Sequence, residues 1–135
     1  AGRYSLLEQP ALRSFLPTAE RKDIGIMLGG VFNSGILATG ARPGARYNYV
    51  EASPAIMARV ARIEAVCDAH SVKLADAALR FPLAHPAVSS LVLGATSPQE
   101  VRRNVDALAR PIPPSLWRDL KTEGLLGADV PVPAS

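Results

Sequence analysis

Two short runs of buried-strand type, each emptying into glycine and each followed by helix signals, constrain this chain more than any other feature. The first is Ile24-Gly-Ile-Met-Leu-Gly-Gly-Val-Phe32, and the second is Val88 to Leu93, which runs into Gly94. Runs of that length without polar alternation suit strands buried on both faces, as parallel strands are. Both faces must then be covered, and the chain carries the helices to do it. Ser53-Pro54 reads as an N-cap followed by a first-turn proline, after which Ile56, Val60, Ile63 and Cys67 recur at helical spacing to about His70. Leu74 to Leu83 is a second, almost wholly apolar helix. Ser97, Pro98 and Glu100 form a capping-box pattern that opens a helix through Val101, Val105 and Leu108, which Pro111 ends. Pro113 or Pro114 opens one more, through Trp117 and Leu120. Strand alternating with helix predicts an α/β protein with a parallel sheet.

The remaining segments are shorter. Arg3 to Leu7 reads as a further strand, Pro10 to Leu16 as a short helix, and Thr18 to Lys22 as a helical turn. Gly40 to Ala52 has no clean period and reads as a surface loop, and residues 127–135 as an extended tail. Parallel strands at Arg3 to Leu7, Ile24 to Phe32 and Val88 to Leu93 leave sheet edges open, which is a poor way to end a sheet. The sequence therefore reads as a single partial domain, 1–135, cut from something larger.

With 135 residues, 48% hydrophobic and 20% charged, the chain can bury a sizeable core, which argues against disorder. Its apolar runs fall far short of the roughly 18 residues of a membrane span, and its start lacks a signal-peptide series. A cytoplasmic setting and no membrane partner are the expectation. The single cysteine, Cys67, cannot build a disulfide framework or a Cys-rich zinc site. A net charge of +3 raises the question of nucleic acid. The charges are scattered, Arg59 with Arg62, Arg102 with Arg103 and Arg118 with Lys121, each pair near an acidic residue, with no basic stripe and no interleaved aromatics. Solvated helix faces explain them better than a nucleic-acid footprint does.

In α/β proteins ligands sit beyond the carboxyl ends of the strands. Gly29, Gly30 and Gly35 with Asn33 and Ser34 would let backbone amides approach an anion, and Gly94 to Ser97 leads into a helix N-terminus that attracts phosphate. Spacing alone leaves this open against the plainer reading, glycines for tight turns and a capped helix start. His70 at a helix end, His85 in a proline-bounded loop, Cys67 on an apolar stripe and Trp117 as a packing anchor read as structural.

Longer motifs narrow the choice. Tyr4-Ser-Leu-Leu7, Phe32-Asn-Ser-Gly-Ile-Leu37, Leu79-Arg-Phe81 and above all Val92-Leu-Gly-Ala-Thr-Ser-Pro-Gln-Glu-Val-Arg-Arg-Asn104 resemble the C-terminal part of an aldo-keto reductase. Ile112-Pro-Pro-Ser-Leu-Trp117, Gly124-Leu-Leu126 and Pro131-Val-Pro133 are similar to the branch with L-fucose, D-galactose and D-threo-aldose dehydrogenases and pyridoxal 4-dehydrogenase. The resemblance implies a (β/α)8 TIM barrel, of which this chain would hold strands six, seven and eight with the helices after them. It also implies that the catalytic Asp, Tyr, Lys and His, which that family takes from earlier strands, lie outside this chain. What remains is the side that holds a nicotinamide dinucleotide. By motif match Phe32, Asn33, Ser34, Gly35 and Leu37 would lie along its pyrophosphate, and Gly94, Ala95, Thr96, Ser97, Glu100 and Asn104 around its adenosine. Family members commonly stack an aromatic side chain on the nicotinamide where this chain has Gly29, a departure that leaves Phe32 as a substitute. NADP-preferring members place cations where this chain has Gly94 and Glu100. A carboxylate there would repel a 2′-phosphate and accept a bond from a free ribose hydroxyl, so the resemblance implies NAD over NADP. The implied partner is the N-terminal part of the barrel, or self-association through strand edges. The alternative function is a non-catalytic half-barrel that serves structure or assembly.

Overall fold

The computed structural model describes residues 2–134. In chain order its elements are α1 (Phe15–Arg21), β1 (Ile26–Leu28), α2 (Ile36–Thr39), β2 (Arg46–Tyr47), β3 (Val50–Glu51), α3 (Pro54–Ala69), α4 (Leu74–Arg80), β4 (Val88–Leu91), α5 (Pro98–Ala109) and α6 (Pro114–Thr122). β1 and β4 pair in parallel, Ile26 opposite Val88 and Leu28 opposite Leu91. Both runs thus become neighbouring parallel strands in an α/β fold, each shorter than the run that signals it, but the expected burial on both faces is corrected: Met27 is exposed between buried Ile26 and Leu28, and Ser89 is exposed on β4, so one face of the pair is open among the described residues.

Helix signals were the more faithful guide. Ser53 Oγ accepts the Ile56 amide at 3.3 Å and opens α3, which buries Val60, Ile63 and Cys67. α4 and α6 pack Leu74, Ala77, Ala78, Leu79, Leu116, Trp117 and Leu120 into the same core. Tyr4, Phe81 and Trp117 run through it with ring centroids 5.4 Å and 6.2 Å apart in succession. Asp76, buried on α4, is matched by Arg110 at 2.8 Å, which ties α4 to the end of α5. α5 itself buries Ala107 and leaves Val101, Val105 and Leu108 exposed.

Four local expectations are corrected. Arg3 to Leu7 is not a strand: Arg3 has φ 65°, and the Ser5 amide turns onto Glu8 O at 2.8 Å. Ser5 Oγ takes the Leu7 and Glu8 amides, while Gln9 Nε2 donates to the Ser5 and Leu6 carbonyls. Side chains have claimed the backbone groups a ladder would need, although Tyr4, Leu6 and Leu7 are buried as a strand's would be. The helix expected over Pro10 to Leu16 is a 3-10 turn at Pro10–Leu12; α1 begins at Phe15 and runs through Pro17, which sits in the first turn, where no amide is required. Leu74 to Leu83 breaks at Arg80 into a 3-10 turn because Pro82 supplies no amide. Gly40 to Ala52 is a loop that holds a small antiparallel hairpin, Arg46 opposite Glu51 and Tyr47 opposite Val50.

Candidate functional site

The carboxyl ends of β1 and β4 open into two clefts. The first, about 800 Å³, is lined by Gly29, Gly30, Phe32, Asn33, Ser34 and Gly35 from the loop after β1, by Gly94 after β4, and by Tyr47, Asn48 and Tyr49 of the hairpin. The second, about 640 Å³, is lined by Phe32 and Gly94 again, then by Arg42, Lys73, Glu100, Arg103 and Asn104 among others. The two clefts share Phe32 and Gly94 in their walls and so adjoin at the strand ends. Bare backbone keeps them open, since a Cβ added at Gly30, Gly35 or Gly94 would meet nothing within 4 Å. The loop after β1 turns through left-handed Gly30, Asn33, Ser34 and Gly35 at φ 71°, 51°, 66° and 118°.

Hydrogen bonds show which of these groups are spent. Asn33 does not offer its side chain to the cleft: Oδ1 accepts the Ser5 hydroxyl, and Nδ2 donates to Glu8 Oε1 at 3.1 Å. The Asn33 amide donates to Gly30 O, and the Gly35 and Leu37 amides donate to Phe32 O, each at 3.1 Å. Ser34 Oγ accepts the Tyr49 amide at 2.9 Å and so joins the loop to the hairpin. Leu37 lies wholly in the core and reaches neither cleft.

The loop after β4 is a helix start as its sequence suggests, with one difference. Ser97 Oγ caps α5 by accepting the Glu100 amide at 3.2 Å. Glu100 reaches back one residue beyond the cap and takes the Thr96 amide at 2.7 Å and the Thr96 hydroxyl at 3.0 Å. Those two bonds, the amide first and then the hydroxyl, hold its carboxyl below the usual carboxylate range, with Arg103 adding to the effect. Ala95, Thr96 and Ser97 line neither cleft, whereas Gly94, Glu100 and Asn104 do.

Glu8, Tyr47 and Tyr49 join the site without a signal in the sequence. Glu8 accepts Asn33 Nδ2 on one oxygen and the Tyr47 hydroxyl on the other at 2.7 Å, with Arg3 at 3.7 Å. The bond to Glu8 raises the Tyr47 pKa and keeps that hydroxyl a donor. His70 stands apart from both clefts and bridges α3 to α6, Nε2 to Asp119 Oδ2 at 2.7 Å and Nδ1 to Ser115 Oγ at 3.3 Å. His85 is buried and accepts the Ala87 amide on Nδ1 at 3.0 Å, and burial lowers its pKa. Burial pushes the Cys67 thiol up to about 12, which makes it unreactive. No helix among the described residues is long and apolar enough to cross a membrane.

The aldo/keto reductase family model matches residues 1–122. The chain belongs to this family. It is similar to a pyridoxal 4-dehydrogenase of Microbacterium luteolum, 44% identical over 126 residues that make up 93% of this chain and 37% of that protein. It is also similar to a D-threo-aldose 1-dehydrogenase of a Pseudomonas species, 39% identical over 127 residues, 93% of this chain and 39% of that protein. The chain thus spans under half the length of these relatives. A glycerol dehydrogenase structure from Gluconobacter oxydans superposes with a TM-score of 0.69 at 18% identity over 97% of this chain and 42% of that one, a likeness of fold.

Proposed function

We propose that this chain is the cofactor-holding part of an NAD-dependent dehydrogenase that acts on a sugar hemiacetal or another small alcohol. The observation that carries the reading is the pair of clefts at the carboxyl ends of β1 and β4, which share Phe32 and Gly94 in their walls and expose bare backbone at Gly30, Gly35 and Gly94. When bound, a nicotinamide dinucleotide supplies the hydride-transfer chemistry. The chain's own residues hold and orient. Asn33 and Ser34 fix the loop after β1, so that loop contributes shape and backbone rather than free side chains. The N-terminus of α5 is already occupied by the Glu100 carboxylate, which accepts the Thr96 amide and hydroxyl, so the phosphates fall to the loop after β1. In this reading the tyrosine acid/base and its Asp, Lys and His companions come from barrel segments outside the 135 residues.

Glu100 decides between the two dinucleotides. Its carboxylate stays ionised and faces the second cleft, so it repels a 2′-phosphate and accepts a bond from a free 2′-hydroxyl. Calorimetric titration with NAD+ and NADP+ tests this on the wild type, Glu100→Gln and Glu100→Arg. NAD+ is expected to bind more tightly to the wild type, with the preference weakened in Glu100→Gln and reversed by about tenfold in Glu100→Arg, the scale of one charge-assisted contact. Equal affinities in all three proteins would remove the NAD preference. Binding of neither dinucleotide would remove the cofactor reading itself.

The exposed stripe of Val101, Val105 and Leu108 on α5, with Val92 beside the end of β4, supports a further part of the same reading. We propose that the missing barrel segments, rather than a second copy, cover this side, since the relatives are more than twice as long. Sedimentation of the chain alone as a monomer agrees with this, and a stable symmetric dimer favours the assembly-module alternative.

A further inference from the structure

Arg59 joins three segments that lie far apart in the chain. From α3 its Nε donates to Leu7 O at 3.4 Å and its Nη2 donates to Leu125 O at 2.8 Å. Both acceptors belong to buried residues, Leu7 in the segment before α1 and Leu125 in the turn after α6. No carboxylate pairs with Arg59 among the described residues, so its guanidinium is spent on backbone carbonyls. A planar fork with donors in fixed directions serves two carbonyls at once, which a single ammonium does less well.

The segment that Arg59 grips has no ladder to hold it. Its Ser5 and Leu6 carbonyls accept from Gln9 Nε2 and its Glu8 carbonyl accepts the Ser5 amide, bonds that stay within the segment. The Leu7 carbonyl is the one that turns outward to α3. One residue on, the fastenings run the other way: Glu8 accepts Asn33 Nδ2 at 3.1 Å and the Tyr47 hydroxyl at 2.7 Å, and the Ser5 hydroxyl donates to Asn33 Oδ1. The segment thus stands between Arg59 and the loop after β1. Behind Arg59 the C-terminal turn is itself fixed, since the Leu125 amide donates to Leu120 O at 2.9 Å and Arg62 Nη2 donates to Glu123 O at 2.8 Å.

We infer that Arg59 is a positioning residue for the first cleft: by fastening the Ser5 to Glu8 turn to the C-terminal turn at Leu125, it sets Ser5 and Glu8, and through them Asn33 and the loop after β1. Arg59 lines neither cleft, so it acts through that turn alone. The consequence for binding rests on the cofactor reading above; the consequence for Asn33 does not. A tie that served only the helical layer would change stability and leave the Asn33 side chain where it is.

The test compares the whole chain as wild type, Arg59→Met, Arg59→Lys and Arg110→Ala by the NMR signal of the Asn33 side-chain amide, by urea unfolding and by titration with NAD+. Arg110→Ala breaks a tie elsewhere in the helical layer and controls for lost stability. Arg59→Met keeps the apolar stem and loses the donors. It is expected to displace the Asn33 signal and to weaken NAD+ binding about fivefold, the scale of one hydrogen bond, while Arg110→Ala leaves both at their wild-type values. Arg59→Lys is expected to fold and to recover the Asn33 signal only in part, because one ammonium replaces a fork. An Asn33 signal at its wild-type position in Arg59→Met, an unchanged NAD+ affinity in that variant, or equal changes in Arg110→Ala overturns the inference and leaves the cofactor reading standing. Should Arg59→Met not fold, Arg59→Lys decides: a displaced Asn33 signal supports the inference and an undisplaced one overturns it. A displaced signal in Arg59→Met together with no NAD+ binding by the wild type supports the positioning of Asn33 and overturns the cofactor reading.

Discussion

The helical layer and the rim at the strand ends are built on opposite terms. α3, α4 and α6 bury Val60, Ile63, Ala77, Ala78, Leu116 and Leu120 completely, and their polar ties, such as Asp76 to Arg110, fix one packing. The rim holds left-handed Asn33, Ser34, Asn48 and Tyr49, glycines with open space around them, and side chains spent on holding loops in unfavourable conformations. One region minimises its own free energy. The other is held in place by its neighbours, as sites that receive a ligand are.

Substitutions that separate stability from binding sharpen this contrast. Trp117→Ala is expected to have the largest effect, a loss of about 3–5 kcal/mol in urea unfolding. The ring is buried, and its Nε1 has no hydrogen-bond partner among the described residues, so packing alone holds it. A loss under about 1 kcal/mol would mean that the helical layer is loosely packed after all. Arg110→Ala strands the buried Asp76 carboxylate and is expected to lower stability by roughly 1–3 kcal/mol, less than a fully enclosed pair because Arg110 is partly exposed.

His85 gives the contrast a pH signature. Its pKa is lowered by burial, so the unfolded chain binds the proton more readily than the folded one. Stability is then full above the unfolded value of 6.5 and falls as the pH drops from there through the lowered folded value. Unfolding midpoints measured across that range are expected to show the slope in wild type and to lose most of it in His85→Gln. On the rim, Ser34→Ala removes the acceptor for the exposed Tyr49 amide and is expected to change stability by about 0.5 kcal/mol while NAD+ binding weakens measurably. A large stability loss from Ser34→Ala would erase the distinction between the two regions.

The same contrast governs what the sequence makes legible. Helices announced themselves through caps and periodicity, as with Ser53 before α3 and Ser97 before α5, because those signals act within a few residues. The positions of β1 and β4 were legible from strand-length runs that end in glycine, whereas their open face, with Met27 and Ser89 exposed, was not. The segment Arg3 to Leu7 did not form its strand because Ser5 and Gln9 capture its backbone, a competition that apolar patterning does not reveal. The glycines on the cleft floor were visible by composition, but the commitment of Asn33 to Ser5 and Glu8 and the burial of Leu37 depend on partners far along the chain. The hairpin stayed hidden because Asn48-Tyr49 lacks the glycine that usually marks such a turn.

The central claim is that these residues hold a dinucleotide, and its most direct test is the Tm of the wild-type chain with and without saturating NAD+. Binding to the folded state at a hundredfold excess over Kd would stabilise it by about 2.7 kcal/mol. The account predicts a clear upward shift with NAD+ and a smaller one with NADP+ at the same concentration. An unchanged Tm with both would contradict it and leave the chain a barrel segment that does not bind the cofactor.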